Sequence, residues 1–205
     1  MFFKVLILSI AIFSISLCLD ENEAGTTHKC RNRRADFKIF DKSYFVNVYL
    51  HDISQPVSWS KARAACQSYC TDLMSINYEE EFIVMKDVME QLQLDYFWTS
   101  GHVCEQDQCN DESYPINING WLWLDSNERI PPTNETAPGW TFNPWSQTGF
   151  RKVPQPDNAE LRVTNRNESC LAILHNVYND GIKFHDVACY HEKDFICEYY
   201  TDDEY

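Results

Sequence analysis

The residues with the plainest chemistry are the cysteines. The 205-residue chain has nine. Cys18 lies in an apolar N-terminal segment, leaving Cys30, Cys66, Cys70, Cys104, Cys109, Cys170, Cys189 and Cys197. An even number in a chain bound for an oxidising compartment implies four disulfides. Zinc is the weaker reading: no Cys-x-x-Cys is present, and the 66/70 and 104/109 pairs lack paired histidines nearby. Two N-glycosylation sequons follow, Asn134-Glu135-Thr136 and Asn167-Glu168-Ser169. Enzymatic motifs are poorly represented. His191-Glu192 has no second histidine at metalloprotease spacing, and there is no nucleophile elbow and no glycine-rich phosphate loop. These residues point to an extracellular binding protein, not an enzyme.

The N-terminus agrees with that compartment. Lys4 followed by the apolar run Val5–Leu17, with small residues at Ser16 and Cys18, reads as a signal peptide over 1–18. The run is shorter than the roughly 20 apolar residues of a membrane span, so no span is expected after cleavage. Loss of Lys4 takes the net charge from −14 to −15. So acidic a surface repels nucleic acid and is compatible with calcium. Residues 19–36 read as a loose polar leader, and Thr201–Tyr205 as an acidic, solvated tail.

Between leader and tail the elements alternate in type. Ser43–Tyr49 is aromatic and β-branched, as in a strand. Trp59, Ala62, Ala65, Cys66 and Tyr69 recur at helical spacing, with Ser58 placed to cap the start. A second apolar stripe, Phe82, Met85, Val88, Met89 and Leu92, follows Asn77 and Glu80, which are spaced as a capping box. Strands are expected at Tyr96–Thr99, Trp121–Leu124, Cys170–Leu174, Phe184–Cys189 and Phe195–Tyr199. Residues 125–160 carry Pro131, Pro132, Pro138, Pro144, Pro154 and Pro156, and so form a long irregular loop of the kind that usually serves function. The expected class is α+β: two helices, small antiparallel sheets and one long binding loop over residues 37–200.

The order of these features resembles the C-type lectin domain. The matching residues are Trp59, Ala62 and Cys66; Leu73-Met74-Ser75-Ile76; Trp121-Leu122-Trp123; Trp145; Gln155-Pro156-Asp157; Glu168-Ser169-Cys170; Phe184-His185-Asp186 with Cys189; and Phe195-Ile196-Cys197-Glu198. They span about two-thirds of the chain. From Asn143 to Glu198 the likeness is to the secreted insect branch of the family.

The resemblance implies disulfides Cys66–Cys197 and Cys170–Cys189. It leaves four cysteines open, with Cys104–Cys109 the local choice and Cys30–Cys70 the remainder. It implies a calcium ion held by Gln155, Asp157, Glu168 and Asp186, with a cis bond before Pro156, and these groups together with His185 contacting a sugar. Calcium takes six to eight oxygen ligands, which suits this set. The order Gln-Pro-Asp goes in the family with galactose-type sugars. Two departures stand out. His185 occupies the place of the usual asparagine, and imidazole is a poor ligand for a hard cation. No aromatic follows the Gln-Pro-Asp motif, so a stacking face must come from Trp140, Phe142, Trp145 or Phe150, each of which reads more readily as loop core. The implied partners are glycans or glycoproteins, with extracellular matrix or cuticle proteins as the alternative.

Overall fold

The structure, a computed structural model, describes residues 28–105 and 107–200. The expected signal peptide, leader residues 19–27 and the acidic tail lie outside the described residues.

The described residues open with a helical turn over 28–31, followed by a hairpin, β1 (Phe37–Ile39) and β2 (Lys42–Val46). The expected strand 43–49 stops at Val46 because Asn47 turns its side chain onto the last strand. Asn47 Nδ2 donates to Asp194 Oδ1 at 3.0 Å, and Asn47 Oδ1 accepts from Phe195 N at 2.9 Å. Helix α1 (Trp59–Ser68) and strand β3 (Asp72–Leu73) follow, then helix α2 (Glu79–Leu92). Ser58 sits at the α1 N-cap without a side-chain capping bond. The first helical N–H, of Trp59, instead donates to Cys189 O at 3.0 Å.

At α2 the N-cap is Tyr78, one residue later than expected. The reciprocal acceptor is therefore Glu81 and not Glu80: its Oε2 takes the N–H groups of Asn77 (2.7 Å) and Tyr78 (3.1 Å). The stripe of Phe82, Met85 and Met89 is buried as its period predicts.

Strand β4 (Tyr96–Val103) runs through the middle of the fold. It pairs antiparallel with β5 (Trp121–Trp123) and with β7 (Cys170–His175), with a register shift between Trp98 and His102. It also pairs in parallel with β9 (Asp194–Tyr200), an addition to the expected all-antiparallel sheets. β5 pairs with β6 (Glu128–Arg129), β7 with β8 (Ile182–Val187), and β9 with β2 and β3. Two short helices, α3 (Ile116–Asn119) and α4 (Leu161–Thr164), interrupt the loops.

The apolar residues form two cores. One, around Phe82, Trp121, Trp145 and Phe184, joins α2 to the long loop. The other, around Trp59, Trp98 and Phe195, joins α1 to the sheets and contains the Cys66–Cys197 bridge. The remaining bridges are Cys170–Cys189, Cys104–Cys109 and Cys30–Cys70. The last corrects the reading of 19–36 as a loose leader: residues 28–36 are folded onto the domain. Besides the disulfide, Asp36 Oδ2 accepts from Val46 N at 2.9 Å and Arg34 Nη1 donates to Tyr49 O at 3.1 Å.

Candidate functional site

The Phe184-His185-Asp186 segment lies on β8 paired to β7, with His185 opposite Ala172 and Asp186 opposite Leu171. Phe184 enters the α2 core. Asp186 is buried and reaches the long loop, where it accepts from Asp157 N (3.3 Å) and Asn158 N (2.7 Å). Asn158 adopts φ 48°, a left-handed conformation that asparagine tolerates better than most residues. Its side chain then binds the return of the loop: Oδ1 accepts from Glu168 N at 2.9 Å, and Nδ2 donates to Asn167 Oδ1 at 3.1 Å.

The consequence is that Asp157, Glu168 and Asp186, spread over 30 residues of chain, place a carboxylate oxygen each within 4.8 Å of one another. Gln155 lines the same cavity of about 440 Å³. The Gln155–Pro156 bond is cis, as the resemblance implied. Gln155 N donates to Ser146 O at 2.9 Å, and its side chain lies against Gly149. A Cβ on residue 149 would fall 2.2 Å from Gln155 Nε2, so any larger residue there would displace that amide from its present position.

His185 lines the same cavity but is engaged beside the carboxylate cluster. Its ring is buried, and Nε2 lies 3.1 Å from Asp180 Oδ2, which also accepts from Ser146 Oγ. The four ligand candidates and His185 thus share a cavity, but His185 is committed to Asp180 and stands outside the carboxylate cluster. Asp180, Ser146 and Asn158 are supporting residues that the sequence reading missed. Asn179-Asp180-Gly181 carries only the signal of a turn.

The aromatic candidates divide. Trp145 is core, and Trp140 and Phe142 pack against Phe82. Phe150 is 68% exposed and lines the cavity, so the reading of all four as loop core holds for three.

Electrostatically the cluster is frustrated. Burial, then the neighbouring Asp157, pushes Glu168 up to about 7. Burial and then Glu168 push Asp186 up to about 7 as well. Burial lowers the pKa of His185, against the opposing pull of Asp180. Among the described residues, Asp157 Oδ1 and Oδ2 and Glu168 Oε2 are buried with no hydrogen-bond partner, although Arg151 Nη1 stands 3.9 Å from Asp157 Oδ2, too far for a hydrogen bond. Buried polar atoms are nearly always partnered, so orphaned oxygens at one point call for a cation. The donor set is all oxygen, which fits a hard ion such as calcium.

No protein-family model matches the chain, and a search of curated proteins found no match. Solved structures do match. The human scavenger receptor C-type lectin carbohydrate-recognition domain is 21% identical with a TM-score of 0.51, covering 80% of this chain and 95% of that one. SPL-1, solved as a complex with GlcNAc, is 16% identical with a TM-score of 0.54, covering 83% and 96%. The C-type lectin domain of murine dendritic cell inhibitory receptor 2, solved with an N-glycan, is 18% identical with a TM-score of 0.50, covering 81% and 97%. At these identities the likeness is one of fold: helices, sheets and long loop of this chain are those of the C-type lectin-like fold.

Proposed function

We propose that this protein is a secreted, calcium-dependent carbohydrate-binding lectin with a galactose-type preference. The observation that carries the reading is the set of buried oxygens on Asp157 and Glu168 that lack hydrogen bonds among the described residues, beside Asp186. Asp157, Glu168 and Asp186, with the Gln155 side-chain oxygen, would hold the ion. Bound there, calcium would offer sugar hydroxyls a hard Lewis-acid centre in a cavity otherwise dominated by negative charge. The chain's own groups set orientation. A carboxylate accepts hydrogen bonds whereas the Gln155 amide also donates, and Nε2 has no hydrogen-bond partner among the described residues. Phe150 is the exposed ring available for stacking on an apolar sugar face. His185 is a positioning residue that fixes Asp180 behind the site.

Secretion is supported by four disulfides, which persist in oxidising compartments. The exposed Asn134 and Asn167 are the proposed glycan carriers. The test is calorimetric titration of the EDTA-stripped protein with calcium, with and without galactose. Calcium uptake that creates galactose binding is the expected result. Uptake without any sugar binding favours a second reading, a matrix or cuticle module that contacts protein. That reading draws on the Asn167 sequon, whose side chain bonds to Asn158 at the loop.

A further inference from the structure

A cavity of about 780 Å³ shares no lining residue with the carboxylate cavity. Its size suits a small organic ligand. It lies between the β1–β2 turn, the start of α2, the β5–β6 hairpin and the long loop.

Its charges are one-sided. Glu80, Glu128 and Glu135 line it, are exposed, and have no side-chain partner among the described residues. The two cationic side chains on its wall are already engaged. Lys42 Nζ stands 3.4 Å from both Glu81 Oε1 and Glu198 Oε1. Arg129 donates to Asn110 Oδ1 at 2.6 Å, Ser113 Oγ at 2.9 Å and Asn119 O at 3.1 Å. Arg129 keeps its charge, since its acceptors are neutral, but the carboxylates on the wall (Asp41, Glu80, Glu81, Glu128 and Glu135) outnumber Lys42 and Arg129, so the cleft offers net negative charge to an incoming ligand.

Its surfaces are aromatic. Trp123 and Trp145 form the floor and Trp140 a wall, each against the packed core. At the mouth, Phe40 and Tyr78 are 66% and 58% exposed, with ring centroids 6.1 Å apart edge to face. Phe40 has φ 53°. A bulky side chain in that conformation costs roughly 1–2 kcal/mol, where glycine, asparagine or aspartate would relieve it. The two-residue turn between Ile39 and Lys42 requires that positive φ at its first position, and it holds the exposed Phe40 ring at the cavity mouth.

We propose that this cleft binds a small organic cation: a protonated amine or guanidinium on an apolar, ring-bearing body. The ring enters between the Phe40–Tyr78 mouth and Trp140, and the cation faces Glu80, Glu128 and Glu135. Aromatic faces attract cations as well as covering apolar surface, so both halves of the ligand are served. An anion of the same shape is repelled.

The test uses the full disulfide-bonded protein in EDTA, titrated calorimetrically with phenethylamine, 2-phenylethanol and 3-phenylpropionate. Phenethylamine is expected to bind at one site, at least about tenfold tighter than the alcohol, a difference of about 1.4 kcal/mol. The acid should not bind. The triple substitution Glu80→Gln, Glu128→Gln, Glu135→Gln should weaken phenethylamine at least about tenfold, and Tyr78→Ala should weaken all binding. Glu90→Gln with Glu112→Gln, acids outside the cleft, should change nothing. Equal affinity for amine and alcohol overturns the proposal, as does a triple variant that binds like wild type. So does competition by calcium, or the absence of saturation below about 10 mM.

Discussion

Calcium affinity should be steeply pH-dependent in a range where ordinary carboxylates are fully ionised. Glu168 and Asp186 both titrate near pH 7 in the cation-free protein, because each is buried beside other carboxylates. A divalent cation needs both deprotonated. At pH 8 the protons cost almost nothing. At pH 6 each group is protonated in about nine molecules of ten, and displacing both weakens binding by roughly a hundredfold, or about 2.7 kcal/mol. The two groups interact, so the pair titrates in two macroscopic steps and the hundredfold is a joint figure. At pH 7 each group is half protonated, so uptake of one ion should release about one proton. Calorimetry in two buffers of different ionisation enthalpy measures that proton, and titrations at pH 6 and pH 8 measure the affinity. Carboxylates near 4 would release none and bind equally at both pH values. That flat result would refute the reasoning.

The same shifts reverse the usual acid response of stability. These folded-state values lie above the unfolded ones of about 4, so the folded cation-free protein binds more protons between pH 4 and 7. Its stability should fall as pH rises through that window. Saturating calcium should remove the fall.

Three further outcomes follow from particular contacts. Glu168→Gln should weaken calcium at least about a hundredfold, yet leave the cation-free protein as stable as wild type or more so at pH 8, since it relieves a buried repulsion; paired calcium titrations and urea melts read both. Lys42→Met should cost up to about 3–5 kcal/mol in urea denaturation above pH 8 and less at neutral pH, because it leaves Glu81 and Glu198 buried without their cation and burial already pushes Glu198 up to about 8. Cys30→Ser with Cys70→Ser opens a loop of 40 residues, worth about 4 kcal/mol in the chain-entropy model; it should speed hydrogen exchange of residues 28–36 and leave calcium affinity unchanged.

Much of the framework was legible without coordinates because it depends on local rules. The α2 stripe follows from the helical period, and Phe82, Met85 and Met89 face the core as that period requires. Cysteine parity gave four bridges, but parity is silent on pairing. The resemblance supplied Cys66–Cys197 and Cys170–Cys189, and the structure pairs Cys30 with Cys70 across 40 residues. The capping acceptor moved from Glu80 to Glu81 because a one-residue change in where the helix begins is decided by packing.

The carboxylate cluster shows where sequence stops. The resemblance to the C-type lectin domain singled out Gln155, Asp157, Glu168 and Asp186 by their types and order. Their convergence depends on Asp186 and Asn158 bonding three distant segments together, and the raised pKa values depend on the burial that results. His185 is the clearest case. The resemblance placed it with the sugar contacts; in the fold it lines the cavity, and a turn five residues earlier sets Asp180 against its Nε2. Sequence determines which groups a chain carries and the period at which it repeats them. Which side chain faces which, and what each then costs to ionise, is set only when remote segments share a dry interior, where charge interactions are strong and solvent no longer screens them.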